Sequence, residues 1–140
     1  LSDVSSAGII SGSRERAAVT DQIRTLRVRT ASEEAGITTL SGGNQQKCII
    51  ARCLLTEPRV LLLDDPTRGV DIGAKSELYQ LMEELSSQGM SILVTSSELP
   101  ELLSVCDRIL VLKEGRLTAE FAAKEATEQK IMEAATGPGL

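Results

Sequence analysis

Residues 40–47 read Leu40-Ser41-Gly42-Gly43-Asn44-Gln45-Gln46-Lys47, and residues 61–67 read Leu61-Leu62-Leu63-Asp64-Asp65-Pro66-Thr67. In the first stretch a Ser and two glycines open a run with helical periodicity. The pattern predicts a helix from Gly42 to about Leu55, with Ser41 at its start. Free first-turn amides, with the helix dipole behind them, attract an anion with roughly half a positive charge. Gly42 and Gly43 would let a phosphate come close to the backbone, and Ser41 adds a hydroxyl donor. In the second stretch an apolar run ends in two carboxylates. Continuous rather than alternating hydrophobicity predicts a strand, Val60 to Asp64, buried on both faces as in a parallel sheet. Carboxylates at the carboxyl end of such a strand suit magnesium and water handling beside a nucleotide. Each stretch alone also fits a plain role, a capped helix start or a strand end with a Pro-Thr turn. Their succession, joined by one helix, is what gives them weight together.

Outward from this pair, strands and helices alternate, which predicts an α/β architecture. Leu1 to Gly12 is rich in Ser and Gly and reads as loose. Ser13 is placed to cap a helix from Arg14 to about Arg27. Arg29 to Thr39 reads as a connection with a short helical piece at Ser32-Glu33-Glu34-Ala35. Pro58 closes the turn after the second helix. Asp71 is placed to cap a helix to about Ser87, with Ala74, Leu78, Leu81, Met82 and Leu85 as its apolar stripe, and Gly89 stops it. Ser91 to Thr95 reads as a second buried strand. Pro100 fits the first turn of a short helix ending near Ser104. Arg108 to Lys113 and Arg116 to Phe121 read as a hairpin turning at Glu114-Gly115. Lys124 to Ala135 reads as a last helix.

Composition narrows the function classes. The chain has 140 residues and a net charge of −5, with 41% hydrophobic and 25% charged residues. A mildly acidic chain with one Tyr and one Phe offers neither a basic patch nor a base-stacking platform, so nucleic acid is not an expected partner. Histidine is absent, which removes His-based triads and the common zinc sites. Cys48, Cys53 and Cys106 are odd in number and sit in apolar stretches, as reduced thiols do. No apolar run approaches the ~20 residues that span a bilayer, and no signal peptide is visible. The start at Leu1 reads as a cut.

The two opening stretches together resemble the signature motif, Walker B strand and D-loop of ABC ATPases. The likeness continues through Thr67-Arg68-Gly69-Val70-Asp71-Ile72-Gly73-Ala74-Lys75 and Ser96-Ser97-Glu98-Leu99-Pro100-Glu101. There it resembles the second nucleotide-binding domain of bacterial sugar importers whose ATP-binding subunit carries two such domains. The tail from Leu117 to Ala135 resembles the ribose importers. The resemblance implies a partial P-loop NTPase core with a mostly parallel sheet, part of the helical subdomain, and a C-terminal hairpin plus helix. It implies one partial domain: a loose segment 1–12, a helical subdomain 13–56 bearing the signature, and the C-terminal part of the catalytic core, 57–140.

Carried over position by position, Ser41, Gly42, Gly43 and Gln45 would meet the γ-phosphate of an ATP held by a facing domain. Asp64 would hold Mg2+ through water. Asp65 stands where the family usually has its catalytic Glu, and Ser97 where many members have the switch histidine. Asp71 would be the D-loop acid at the dimer interface. Asp is one methylene shorter than Glu, a retreat of ~1.5 Å, and misplacement of about 1 Å can lower rates ~100-fold. The resemblance thus implies ATP-driven uptake of a ribose-like monosaccharide. The implied partners are a facing nucleotide-binding domain, membrane-spanning permease subunits and, indirectly, a periplasmic or lipid-anchored sugar-binding protein. The implied location is cytoplasmic, on the inner face of the membrane.

No Gly-Lys pair, and so no Walker A loop, occurs in the 140 residues. The family places that loop, its strand and the Q-loop upstream of Leu1, with the strand between Ser91–Thr95 and Arg108–Lys113. Those two apolar strands are then expected to pair directly or through a second copy. Two rival readings remain. One is a non-catalytic truncated module that donates its signature to a partner; the other is a soluble ABC protein outside transport.

Overall fold

The computed structural model describes residues 5–6 and 9–137. The chain divides into two compact units, Leu1–Val94 and Thr95–Leu140. In the first, β1 (Ser5–Ser6) pairs antiparallel with β2 (Ile9–Ile10). The rest of the segment expected to be loose, residues 1–4 and 7–8, lies outside the described residues. Helix α1 spans Gly12–Thr25 and starts two residues before the expected Arg14. Ser11, not Ser13, takes the N-cap position, and its carbonyl accepts from the Glu15 amide at 2.9 Å. The helix closes in a Schellman turn. Arg27 turns left-handed at φ 51°, its amide reaches the Arg24 carbonyl at 3.2 Å, and the Val28 amide reaches the Ile23 carbonyl at 2.9 Å. That reversal drives Leu26 and Val28 into the core.

No helix forms at Ser32 to Ala35. A single turn, with the Ala35 amide on the Ser32 carbonyl at 3.2 Å, leads to a 3-10 turn at Ile37–Thr39. Gly36 follows at once in extended backbone, φ −62° and ψ 137°, so the segment is too short to offset helix nucleation. Helix α2 (Gly42–Leu54) follows as expected, then β3 (Val60–Asp64), α3 (Ile72–Ser87) and β4 (Ser91–Thr95). β3 and β4 lie side by side and parallel, because the crossover helix α3 returns the chain to the same end. Leu26, Val28, Ile50, Leu61, Leu78, Leu81 and Leu85 form one buried cluster between these elements.

The second unit holds α4 (Leu99–Val105), β5 (Arg108–Lys113), β6 (Arg116–Ala122) and α5 (Glu128–Thr136). β5 and β6 form an antiparallel hairpin. Glu114 and Gly115 both take positive φ, 49° and 77°, as a tight two-residue turn between twisted strands requires. Ile109 and Val111 pack with Ile131 of α5. The last helix begins at Glu128 rather than Lys124. Ala123–Glu125 is a separate 3-10 turn, and the Thr127 hydroxyl caps α5 by accepting from the Lys130 amide at 3.2 Å.

Two expectations about the strands are corrected. β3 is not buried on both faces: Leu61 is buried, whereas Val60 and Leu62 are exposed. On β4 Leu93 is exposed, and on β5 Leu110 and Leu112. Of the two arrangements expected for β4 and β5, direct pairing is absent among the described strands. β4 pairs with β3 and β5 with β6, each with the strand its own connection brings alongside.

Candidate nucleotide-binding site

Ser41 sits in extended backbone just before α2, and both it and Gly42 are exposed. No backbone amide donates to the Ser41 hydroxyl, so the first turn of α2 carries no side-chain cap. Instead Asn44 Nδ2 donates to Ser41 Oγ at 2.8 Å, while Asn44 Oδ1 accepts from the Arg29 amide at 2.7 Å. Gln45 Nε2 donates to the Leu40 carbonyl at 2.8 Å and braces the entry to the turn. Gly43 differs from its neighbour. It is buried, and a Cβ placed on it would lie 2.5 Å from the Ala74 Cβ of α3. Its missing side chain makes room for α3. At Gly42 the nearest atom to such a Cβ is the Gly69 carbonyl oxygen at 3.5 Å, an ordinary contact. Ser41 and Gly42 are the exposed part of the turn, and Gly43 is its packed part.

Asp64 ends β3 with its side chain exposed. Asp65 follows at φ 47°, a left-handed position that Asp and Asn tolerate better than other side chains. Pro66 and Thr67 then turn inward, Thr67 only 2% exposed. Gly69 at φ 72° redirects the chain to Asp71, whose Oδ1 accepts from the Ala74 amide at 3.0 Å and caps α3. The signature turn and this loop are one surface. Gln46 Nε2 donates to the Pro66 carbonyl at 2.8 Å, Gly42 abuts Gly69, and Gly43 abuts Ala74. Ser97 belongs to the second unit and is exposed. Its segment is braced by Ser96, which donates to Glu101 Oε2 at 2.7 Å and accepts from the Glu98 amide at 3.0 Å.

Behind the signature turn lies a charge cluster the sequence reading did not find. Lys47 is 4% exposed; its Nζ donates to Glu77 Oε2 at 2.7 Å and to the Arg27 carbonyl at 3.4 Å. Arg29 donates to the other oxygen, Glu77 Oε1, at 2.9 Å. The hydrogen bond and charge of Lys47 hold the Glu77 carboxyl below its ordinary value. A signal was available: Gly43, Lys47 and Ile50 share the buried stripe of α2, and a lysine on such a stripe calls for a carboxylate. Burial raises the Cys48 and Cys106 thiols, Cys106 with help from the Asp107 charge, and all three cysteines are free.

A family model described as "ABC transporter" matches residues 7–68, the stretch that holds the signature turn and the end of β3. The chain has the fold of part of an ABC ATPase cassette. It is similar to the ribose import ATP-binding protein RbsA of Caldanaerobacter subterraneus subsp. tengcongensis, 50% identical over 93% of this chain and 26% of that protein. It is also similar to the xylose import ATP-binding protein XylG of Moorella thermoacetica, 58% identical over 80% of this chain and 22% of that protein. The chain thus spans about a quarter of the length of these curated relatives. The dimeric structure of MJ0796, a bacterial ABC transporter cassette, superposes with a TM-score of 0.70 at 26% identity, over 84% of this chain and 51% of the other. The cassette MJ1267 superposes at 0.77 with 22% identity, over 92% and 53%, a likeness of fold.

Proposed function

We propose that this chain is the C-terminal part of a nucleotide-binding domain in the ATP-binding subunit of a bacterial monosaccharide importer of the ribose type. In that subunit ATP binding and hydrolysis would drive sugar uptake. The observation that carries the reading is the exposed start of α2 at Ser41 and Gly42, packed against residues 66–74, where Asp71 caps α3. Uncapped amides and a hydroxyl fit the γ-phosphate of ATP, whose chemistry is transfer of that phosphoryl group. Gln45 would act through the Leu40 carbonyl it holds. Asp64 fits a magnesium ion held through water. Among the described residues no three His, Cys, Asp or Glu side chains converge into a metal cage, so the remaining ligands would be water and phosphate oxygens.

Asp65 stands at the position of the water-activating carboxylate, and Ser97 at that of the switch residue. Asp71 and the neighbouring Ile72, which is 85% exposed, offer a facing nucleotide-binding domain a polar and an apolar contact. The phosphate loop for this signature turn would come from that facing domain. Residues 13–56 fit the helical subdomain and 57–140 the C-terminal part of the catalytic core, since only helices and turns precede Val60 within 12–59. No helix among the described residues is long and apolar enough to cross a membrane. Attachment to the inner face would run through the permease subunits, with a sugar-binding protein on the far side. Phosphate release from Mg-ATP tests the reading. The chain alone should give no turnover, and its full-length protein assembled with the permease should give turnover that Gly42→Asp lowers about 100-fold. Turnover indifferent to Gly42→Asp would contradict it.

A further inference from the structure

We infer that Asn44 is a positioning residue that sets which way the Ser41 hydroxyl donates. The inference rests on the reading of Ser41 as a phosphate ligand. A serine oxygen both donates and accepts, and nothing in the residue itself decides where its proton points. Here the choice is made by a chain of bonds. The Arg29 amide is a donor only, so the Asn44 atom 2.7 Å from it must be the carbonyl oxygen. The amide nitrogen is then the atom that faces Ser41 Oγ at 2.8 Å. A nitrogen there can only donate, so the serine accepts on that side and its proton is left for another acceptor. The exposed direction is where an anionic oxygen would arrive.

The Arg29 side chain reaches α3. Its guanidinium holds Glu77 on α3 at 2.9 Å, and Glu77 also takes the Lys47 ammonium of α2 at 2.7 Å. The polarity of the signature hydroxyl is thus tied to the helix that Asp71 caps. Asn44 stands at the third position of α2, where a side chain could instead have reached back to the backbone amide of the cap residue. It reaches the hydroxyl.

A double-mutant cycle in the full-length protein assembled with its permease tests this, with Mg-ATP turnover as the readout. Asn44→Asp keeps size and the acceptor for the Arg29 amide but turns the second atom into an acceptor, which pulls the Ser41 proton inward. Ser41→Ala and Asn44→Asp should each lower kcat roughly 10- to 100-fold, the value of a hydrogen bond to a charged group. The double variant should fall no more than about twofold below the lower single, since both remove one donor. Asn44→Ala should couple to Ser41→Ala in the same way, and it serves if the aspartate variant does not assemble. Losses that multiply, or an Asn44 variant with full turnover beside an impaired Ser41→Ala, would overturn the inference alone. A fully active Ser41→Ala would instead overturn the reading of Ser41 on which it rests.

Discussion

Gly42 and Gly43 are neighbours with different tasks. A methyl group on Gly43 would collide with the Ala74 methyl at 2.5 Å, so both helices must shift. Gly43→Ala should destabilise by about 1–3 kcal/mol, as overpacking does. Adding Ala74→Gly should recover much of that loss, less ~1 kcal/mol for a glycine inside a helix. Urea unfolding of the three variants reads this directly, and a Gly43→Ala protein as stable as its parent would refute the packing role. Gly42→Ala meets only the Gly69 carbonyl at 3.5 Å and should leave stability within about 1 kcal/mol. At this scale the sequence was partly legible. The Ser-Gly-Gly start, the Asp71 cap and the Glu114-Gly115 turn depend on neighbours within a few residues, and each stands where the pattern put it. The two glycines could not be told apart, because the atom that separates their roles belongs to Ala74. Asn44 was missed for the same reason: its orienting partner is the Arg29 amide, which the fold brings from fifteen residues away.

Between elements, α2 and α3 are joined by apolar packing and by one buried ammonium. Lys47 is 4% exposed, whereas the Glu77 side chain is 40% exposed and keeps Arg29 as a second partner. The two deletions should therefore differ. Glu77→Ala strands the ammonium with one carbonyl at 3.4 Å and should destabilise by about 2 kcal/mol. Lys47→Met leaves a carboxylate that water and Arg29 still serve, and should change stability by less than ~1 kcal/mol. Equal losses in urea unfolding would contradict the asymmetry. Lys47 also holds the Glu77 carboxyl below its ordinary value of 4.5. A depressed carboxylate contributes stability above that value and loses it as pH falls through the lower, folded-state one. The stability gap between parent and Glu77→Gln should be constant near neutrality and shrink on acidification below about pH 4.5. The α1 start and the turn at Ser32 to Ala35 differ from the expected ones because Ser11 and Ser13 serve equally well as local caps, and because the extended Gly36 stops the second segment after one turn.

At the scale of the molecule, the β3–β4 and β5–β6 sheets each carry exposed apolar side chains among the described residues. Leu62 is 69% exposed and Leu112 is 66% exposed. The strands' continuous apolar character was legible; that β3, β4 and β5 leave Leu62, Leu93 and Leu112 exposed was not, since a sequence does not say what packs on each face. The chain matches about half the length of the solved cassettes. The chain alone should self-associate in a concentration-dependent manner, and Leu62→Lys and Leu112→Lys should reduce this in sedimentation. A strictly monomeric parent would contradict it. The central claim is that the exposed start of α2 meets the γ-phosphate of an ATP gripped by a facing domain. Its most direct test is Mg-ATP turnover by the full-length protein assembled with its permease, carrying Gly42→Asp. A carboxylate facing a phosphate should lower turnover at least about 100-fold while stability changes little. Turnover unchanged by that substitution would contradict the account.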